Sequence, residues 1–198
     1  MAQRDPHAKE GLYHVRSLYF DTPSDKALRE KLDGVDRREK FRIRYYDGDS
    51  GSLHLEKKSK SGALSCKQSS PLSENEVQAI LDGDTAWMSE ETPLVQELYR
   101  KMQTQLLRPK TVVEYTREPF VYAPGNVRVT LDYHLRTTLH PRHFLDWDCL
   151  TIPVMDAPIL MEVKWDAYLP DIIRDAVQLP GHRASAFSKY AQCRMYDR

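Results

Sequence analysis

Charged and apolar side chains alternate one by one along several short stretches of this chain. In 41–46 (FRIRYY), Phe41, Ile43 and Tyr45 fall on one side and Arg42 and Arg44 on the other, because successive residues of a strand point to opposite faces. In 53–58 (LHLEKK), Leu53 and Leu55 oppose His54, Glu56 and Lys58. In 111–118, Tyr115 and Arg117 lie together; in 127–132, Val127, Val129 and Leu131 oppose Arg128, Thr130 and Asp132; in 161–165, Met161, Val163 and Trp165 oppose Glu162 and Lys164. The pattern predicts strands at 12–21, 39–47, 52–59, 64–68, 111–118, 127–133 and 159–165, with one or two more short ones within 136–158. Residues 47–51 (DGDSG) are turn formers and make a hairpin of the second and third strands.

Helices interrupt this series. Ser24 is placed to cap one ending at Leu32, before Gly34. Ser73 with Glu76 forms a capping-box pattern for a helix to Leu81. Thr92-Pro93 opens another, to Leu107. Pro170 opens one to Leu179, and Ser185 opens the last. No internal repeat or low-complexity linker divides residues 1–198, so the expectation is a single α+β domain built on an antiparallel sheet.

Composition narrows the function classes. Lys+Arg and Asp+Glu balance at 29 each, which argues against a nucleic-acid coat protein, normally basic overall. It leaves room for a local basic site, since placement matters more than the sum. Three scattered cysteines form neither a disulfide framework nor a zinc pattern, and the histidines lack ligand spacing. The first residues hold no apolar signal core and no run is long enough to span a bilayer. The expectation is a soluble, cytoplasmic protein; at the cytoplasmic face of a membrane, a membrane-protein partner or a segment missing from this chain would take it there.

The polar strand faces admit two readings. They are solvated, as on most half-buried antiparallel sheets. Or the sheet curls into a barrel with its apolar face outward against helices, making the charged face a lumen. A lumen lined by Arg42, Arg44, Lys58, Arg117, Arg128 and Lys164 repels itself unless an anion fills it. Arginine forks match phosphate oxygens bidentately and lysine supplies point charge, so a linear oligophosphate fits. Glu56, Asp132 and Glu162 offset part of the charge and offer oxygen ligands to a divalent metal; Asp132 is also placed to orient Arg128.

Taken in order, VRSLYFDT at 15–22, FRIRYY at 41–46, LEKKSK at 55–60, the Tyr-x-Arg at 115–117, VRVTLD at 127–132, MEVKW at 161–165 and FSKY at 187–190 resemble the VTC domain. That is the catalytic domain of the vacuolar transporter chaperone polyphosphate polymerase and its bacterial relatives. It belongs to the triphosphate tunnel metalloenzymes, with the CYTH proteins. The resemblance implies an eight-stranded antiparallel β-barrel, the triphosphate tunnel fold, with helices around it. It implies transfer of the terminal phosphoryl group of a nucleoside triphosphate, ATP, to a polyphosphate chain, with Mn2+ or Mg2+ as cofactor. A metal-dependent triphosphatase and a non-catalytic polyphosphate-binding module are the alternatives.

By motif, Arg42 and Arg44 match the family's paired arginines, Lys58 the lysine of its Glu-x-Lys strand, and Arg117 and Arg128 the arginines of the next hairpin. Lys189 matches the lysine that closes on the phosphates. Lys67, Lys164 and Ser188 complete the implied phosphate-binding set. Glu162 matches the metal-binding glutamate, with Glu56 as the second candidate. The resemblance also implies an additional first strand and helix, the strand carrying its own Glu-x-Lys-Tyr. This chain starts after them, near Asp5-Pro6-His7, so a tunnel with an incomplete wall is expected.

Overall fold

A computed structural model of the chain describes residues 2–6, 8–62, 64–154 and 159–196. In chain order the elements are β1 (Gln3–Arg4), β2 (Tyr13–Asp21), α1 (Lys26–Leu32), β3 (Arg38–Tyr46), β4 (Asp49–Ser61), β5 (Leu64–Pro71), α2 (Glu74–Asp82), α3 (Pro93–Thr104), β6 (Arg108–Tyr122), β7 (Val127–Thr138), β8 (Thr151–Pro153), β9 (Leu160–Lys164), α4 (Asp171–Ala176) and α5 (Lys189–Arg194). The expected α+β class holds. One antiparallel sheet runs β5-β4-β3-β2-β6-β7-β8, with β1 pairing on β6 and β9 on β7. The sheet has nine strands, against the eight implied, and its path is not closed: among the described residues β5 pairs only with β4, and β9 only with β7.

The alternation of the sequence becomes two differently packed faces. Leu18, Phe20, Phe41, Ile43, Tyr45, Leu53 and Leu55 join Val77, Ile80 and Leu81 of α2 and Leu94, Val95, Leu98 and Met102 of α3 in the main core. The apolar face therefore lies outward beneath helices, as the barrel reading requires. Burying each of these large side chains contributes about 2 kcal/mol. Arg16 shares this face and is almost wholly buried. Its Nε donates to Glu114 Oε2 at 2.7 Å, and its NH1 and NH2 donate to the carbonyls of Asp146 and Trp147 at 2.5 and 2.9 Å. It thereby pins the loop after β7 to the sheet. On the opposite, inner face, Tyr190 and Cys193 of α5 pack with Val15, Tyr19, Val113, Tyr115 and Leu135.

Local signals explain most element ends. Ser73 and Glu76 form the reciprocal capping box, and Pro93 occupies the first turn of α3. The cap of α1 differs from expectation. Ser24 makes no cap; Asp21, at the end of β2, accepts from the backbone N–H groups of Thr22, Ala27 and Leu28. A carboxylate satisfies more orphan amides than one hydroxyl can. The strand β6 begins before Pro109, where proline was expected only to end a helix. Its pairing with β2 shifts register between Tyr19 and Phe20, and a bulge tolerates a residue without an N–H.

Candidate anion-binding site

Strand register decides which side chains share a face. Arg42 lies opposite Tyr19 of β2 and Glu56 of β4. Lys40 lies opposite Lys58, and Lys58 opposite Lys67 of β5. Arg44 lies opposite Ser17, and Ser17 opposite Val113. Farther along β6, Arg117 faces Asp132 of β7; on β7, Thr130 faces Glu162 of β9 and Arg128 faces Lys164. Directly opposed residues point the same way. Arg42, Arg44, Lys58, Lys67, Arg117, Arg128, Glu162 and Lys164 therefore all emerge on the inner face, opposite the main core. Lys189 reaches the same face from α5, and Ser188 caps that helix, its Oγ accepting from the Ala191 N–H at 3.3 Å.

The inner face carries two ion-pair clusters. In the first, Glu56 is buried on β4. Its Oε2 takes Arg42 Nε and NH2 at 2.7 and 2.6 Å, and its Oε1 takes Lys67 Nζ at 2.5 Å. Burial would raise the Glu56 pKa, but Arg42, Arg44 and Lys67 overcome it and bring it down to about 2. Arg42 NH1 donates to Tyr19 Oη at 2.9 Å. Arg44, also buried, has hydroxyl partners: Ser17 Oγ at 2.9 Å and Tyr115 Oη at 3.3 Å.

In the second cluster, Asp132 accepts Arg117 Nε and NH2 at 2.7 and 2.8 Å and Lys189 Nζ at 2.7 Å. Burial raises the Asp132 carboxyl, yet Arg117 and Lys189 hold it below the ordinary range. Tyr115 bridges the clusters. Its hydroxyl meets Arg44, and the Lys189 ammonium sits 4.7 Å from its ring centre, a cation–π distance.

Arg128 stands apart. Its NH2 donates to Asp5 Oδ2 at 3.1 Å, so Asp132 does not orient it as expected. The register puts Arg128 opposite Lys164 and Arg117 opposite Asp132, and the nearer guanidinium takes the carboxylate. Among the described residues, Arg128 Nε is buried without a hydrogen-bond acceptor. Lys164 Nζ lies 3.2 Å from Glu162 Oε1.

The structure adds residues the sequence reading left out. A cavity of about 360 Å³ opens at the β3–β4 end of the inner face. Lys31, Arg38, Lys40, Lys58 and Lys60 line it with Tyr19, Ser65, Ser188 and Tyr190, and among the described residues Glu39 is its one carboxylate. Lys40 and Arg38 continue the alternation of Arg42 and Arg44 backward along one strand, so the signal was present in 38–44. Lys40, Lys58 and Lys67 form a straight row across three strands. Like charges directly opposed on a sheet are destabilising, and such a row favours an anion as its occupant.

The two metal candidates differ. Glu56 has both oxygens taken by cations. The Glu162 side chain is half exposed, with Lys164 at 3.2 Å and Arg117 at 3.9 Å. Burial raises its pKa, but Lys164 and Arg117 outweigh that and favour the carboxylate. Among the described residues no three His, Cys, Asp or Glu side chains converge into a metal cage. Magnesium-like ions are commonly held by one or two carboxylates plus substrate phosphates and water. Glu162 fits that open mode; Glu56 does not.

Known proteins resemble this chain. Solved structures that resemble it include a Bacillus halodurans protein described as a candidate adenylate cyclase, at 16% identity and TM-score 0.44 over 67% of this chain and 62% of that one. Another is a Pyrococcus horikoshii protein, at 14% identity and TM-score 0.38 over 84% and 70% of the two chains. The chain thus spans under two thirds of the Bacillus protein's length. No curated protein matches it. The model of the VTC domain family matches residues 2–196, a span that includes every strand and helix of the cationic inner face, and the chain belongs to that family.

Proposed function

We propose that this domain is a polyphosphate polymerase-like phosphotransferase, and that its inner face holds the phosphates of a nucleoside triphosphate, ATP, and of a polyphosphate chain. The observation that carries the reading is the lysine row Lys40–Lys58–Lys67, of which Lys67 is held by Glu56, beside Arg42 and Arg44, continuous with a cation-lined cavity. The buried Arg44 and the partly buried Arg42 present forked donors that suit bidentate phosphate contacts. Arg44 is the better free donor, since its partners among the described residues are the hydroxyls of Ser17 and Tyr115. Arg42 meets phosphate while anchored by Glu56.

Phosphoryl transfer needs positioning and charge stabilisation more than covalent chemistry from the protein. Arg42, Arg44, Lys58 and Lys67 would align the phosphates. Arg117 and Lys189, both on Asp132, would meet the charge that builds on the transferring group. Arg128 and Lys164 extend the cationic surface toward β9. Glu162 would hold Mn2+ or Mg2+ together with phosphate oxygens, and the ion supplies further charge neutralisation when bound. No helix among the described residues is long and apolar enough to cross a membrane.

Incubation with ATP and Mn2+, followed by product separation on a gel, tests the reading. Long polyphosphate chains support it. Free phosphate without chains replaces it with a triphosphatase. Nucleotide binding without turnover replaces it with a binding module.

A further inference from the structure

We propose that Tyr19 serves the empty site as a phenolate counter-anion, and that a polyphosphate anion entering the cavity returns a proton to it. This rests on the phosphate-site reading above.

The geometry makes Tyr19 an acceptor. Its ring is almost wholly buried in β2 and forms part of the cavity wall. Its oxygen accepts from Arg42 NH1 at 2.9 Å, a guanidinium that does not give up its proton. Cations gather on the same side: Lys40 Nζ is 5.5 Å and Arg42 Cζ 5.8 Å from the ring centre.

The other groups facing this corner do not cancel that charge. From β3 come Lys40, Arg42 and Arg44. From β4 come Lys58 and Glu56, whose oxygens Arg42 and Lys67 already engage. From α1, Lys31 lines the same cavity. From β6, Thr111 lies opposite Tyr19 and Tyr115 receives Arg44. From α5, Tyr190 stacks on Tyr19 at 5.0 Å, but its hydroxyl donates to Asp21 at 2.6 Å and stays neutral. Tyr19 is therefore an acidic group with cations around it, its oxygen held by the Arg42 guanidinium.

Electrostatics agree with the geometry. Burial alone would raise the Tyr19 pKa; Arg42, Lys40 and Arg44 reverse that and bring it down to about 7. Lys40 is lowered as well: a charged Tyr19 supports its ammonium, but burial and the neighbouring Arg42, Lys58 and Arg44 outweigh that support.

The step balances simply. A phosphate anion beside the phenolate repels it, the phenolate takes one proton from solvent, and no bond to the ligand forms or breaks. Two consequences follow from linkage. Above neutral pH, binding must take up a proton, so affinity falls by as much as about tenfold per pH unit. Below it, Tyr19 is already neutral and this dependence vanishes.

The test is a near-ultraviolet tyrosinate titration of the whole chain, free and saturated with inorganic triphosphate, beside calorimetric affinities across the same pH range. The proposal expects one of the eleven tyrosines to ionise near pH 7 in the free protein. That midpoint should rise by about one unit or more with triphosphate. Tyr19→Phe should abolish the early transition and flatten the pH dependence of affinity relative to wild type, a comparison in which the ligand's own titration cancels. The proposal is overturned if no tyrosine ionises below about pH 9, or if bound triphosphate leaves the midpoint unmoved. An early transition in a protein that does not bind triphosphate sinks the phosphate-site reading instead, and the coupling with it.

Discussion

The carboxylate of Asp132 and the ammonium of Lys189 meet at 2.7 Å, while the same carboxylate holds both arms of Arg117. One buried anion on β7 thus fixes a neighbouring strand and the final helix, and keeps two cations aimed along the inner face.

Removing that anion should expose its structural share. Asp132→Asn leaves Arg117 and Lys189 close together without their counter-charge. Breaking a buried pair by deleting one partner costs about 3 kcal/mol or more. Urea unfolding should show the unfolding free energy falling by that amount, read as a lower midpoint at unchanged slope. Inorganic triphosphate should restore more stability to the variant than to wild type, because it supplies the missing negative charge.

Glu56 predicts an acid-sensitive window. Its folded-state carboxyl sits at about 2, against an ordinary 4.5. A depressed carboxyl contributes stability that is complete above the unfolded value and is lost as pH falls through the folded one. The shift corresponds to about 3 kcal/mol. Wild type should therefore lose stability steeply between about pH 4.5 and about pH 2. Glu56→Gln should be less stable at neutral pH and flatter across that window, measured by urea unfolding at stepped pH.

Glu162 separates metal use from phosphate binding. Glu162→Gln keeps size and removes the half-exposed carboxylate that neighbours Lys164 and Arg117. Turnover with Mn2+ should fall at least about tenfold, while triphosphate affinity in the presence of a chelator holds or rises. Equal losses in both would assign Glu162 to the ion-pair network alone. Titration of Mn2+ against turnover and binding distinguishes the cases.

Much of this was legible where the information is local. Arg42 and Arg44 share a strand with Ile43 between them, and their face follows from alternation. Ser73, Glu76 and Pro93 carry their helix starts in four or five residues. What was not legible depends on partners far along the chain. The pairing of Arg117 with Asp132, and of Arg128 with Asp5, is set by the register of β6, β7 and β1, which no local pattern encodes. Asp21 rather than Ser24 caps α1 because the strand end is folded back over the helix start. Lys40 and Tyr19 alternated in plain view. Their importance comes from the cavity they line with α1 and α5, and that emerges only when the helices pack.

Calorimetric titration of inorganic triphosphate into wild type and into Arg42→Gln/Arg44→Gln tests the central claim most directly. With circular dichroism confirming the fold of both, the account predicts binding at least about a hundredfold weaker in the double variant, since each charged hydrogen-bond partner is worth about 1.5–3 kcal/mol. Equal affinity in the two proteins would contradict it.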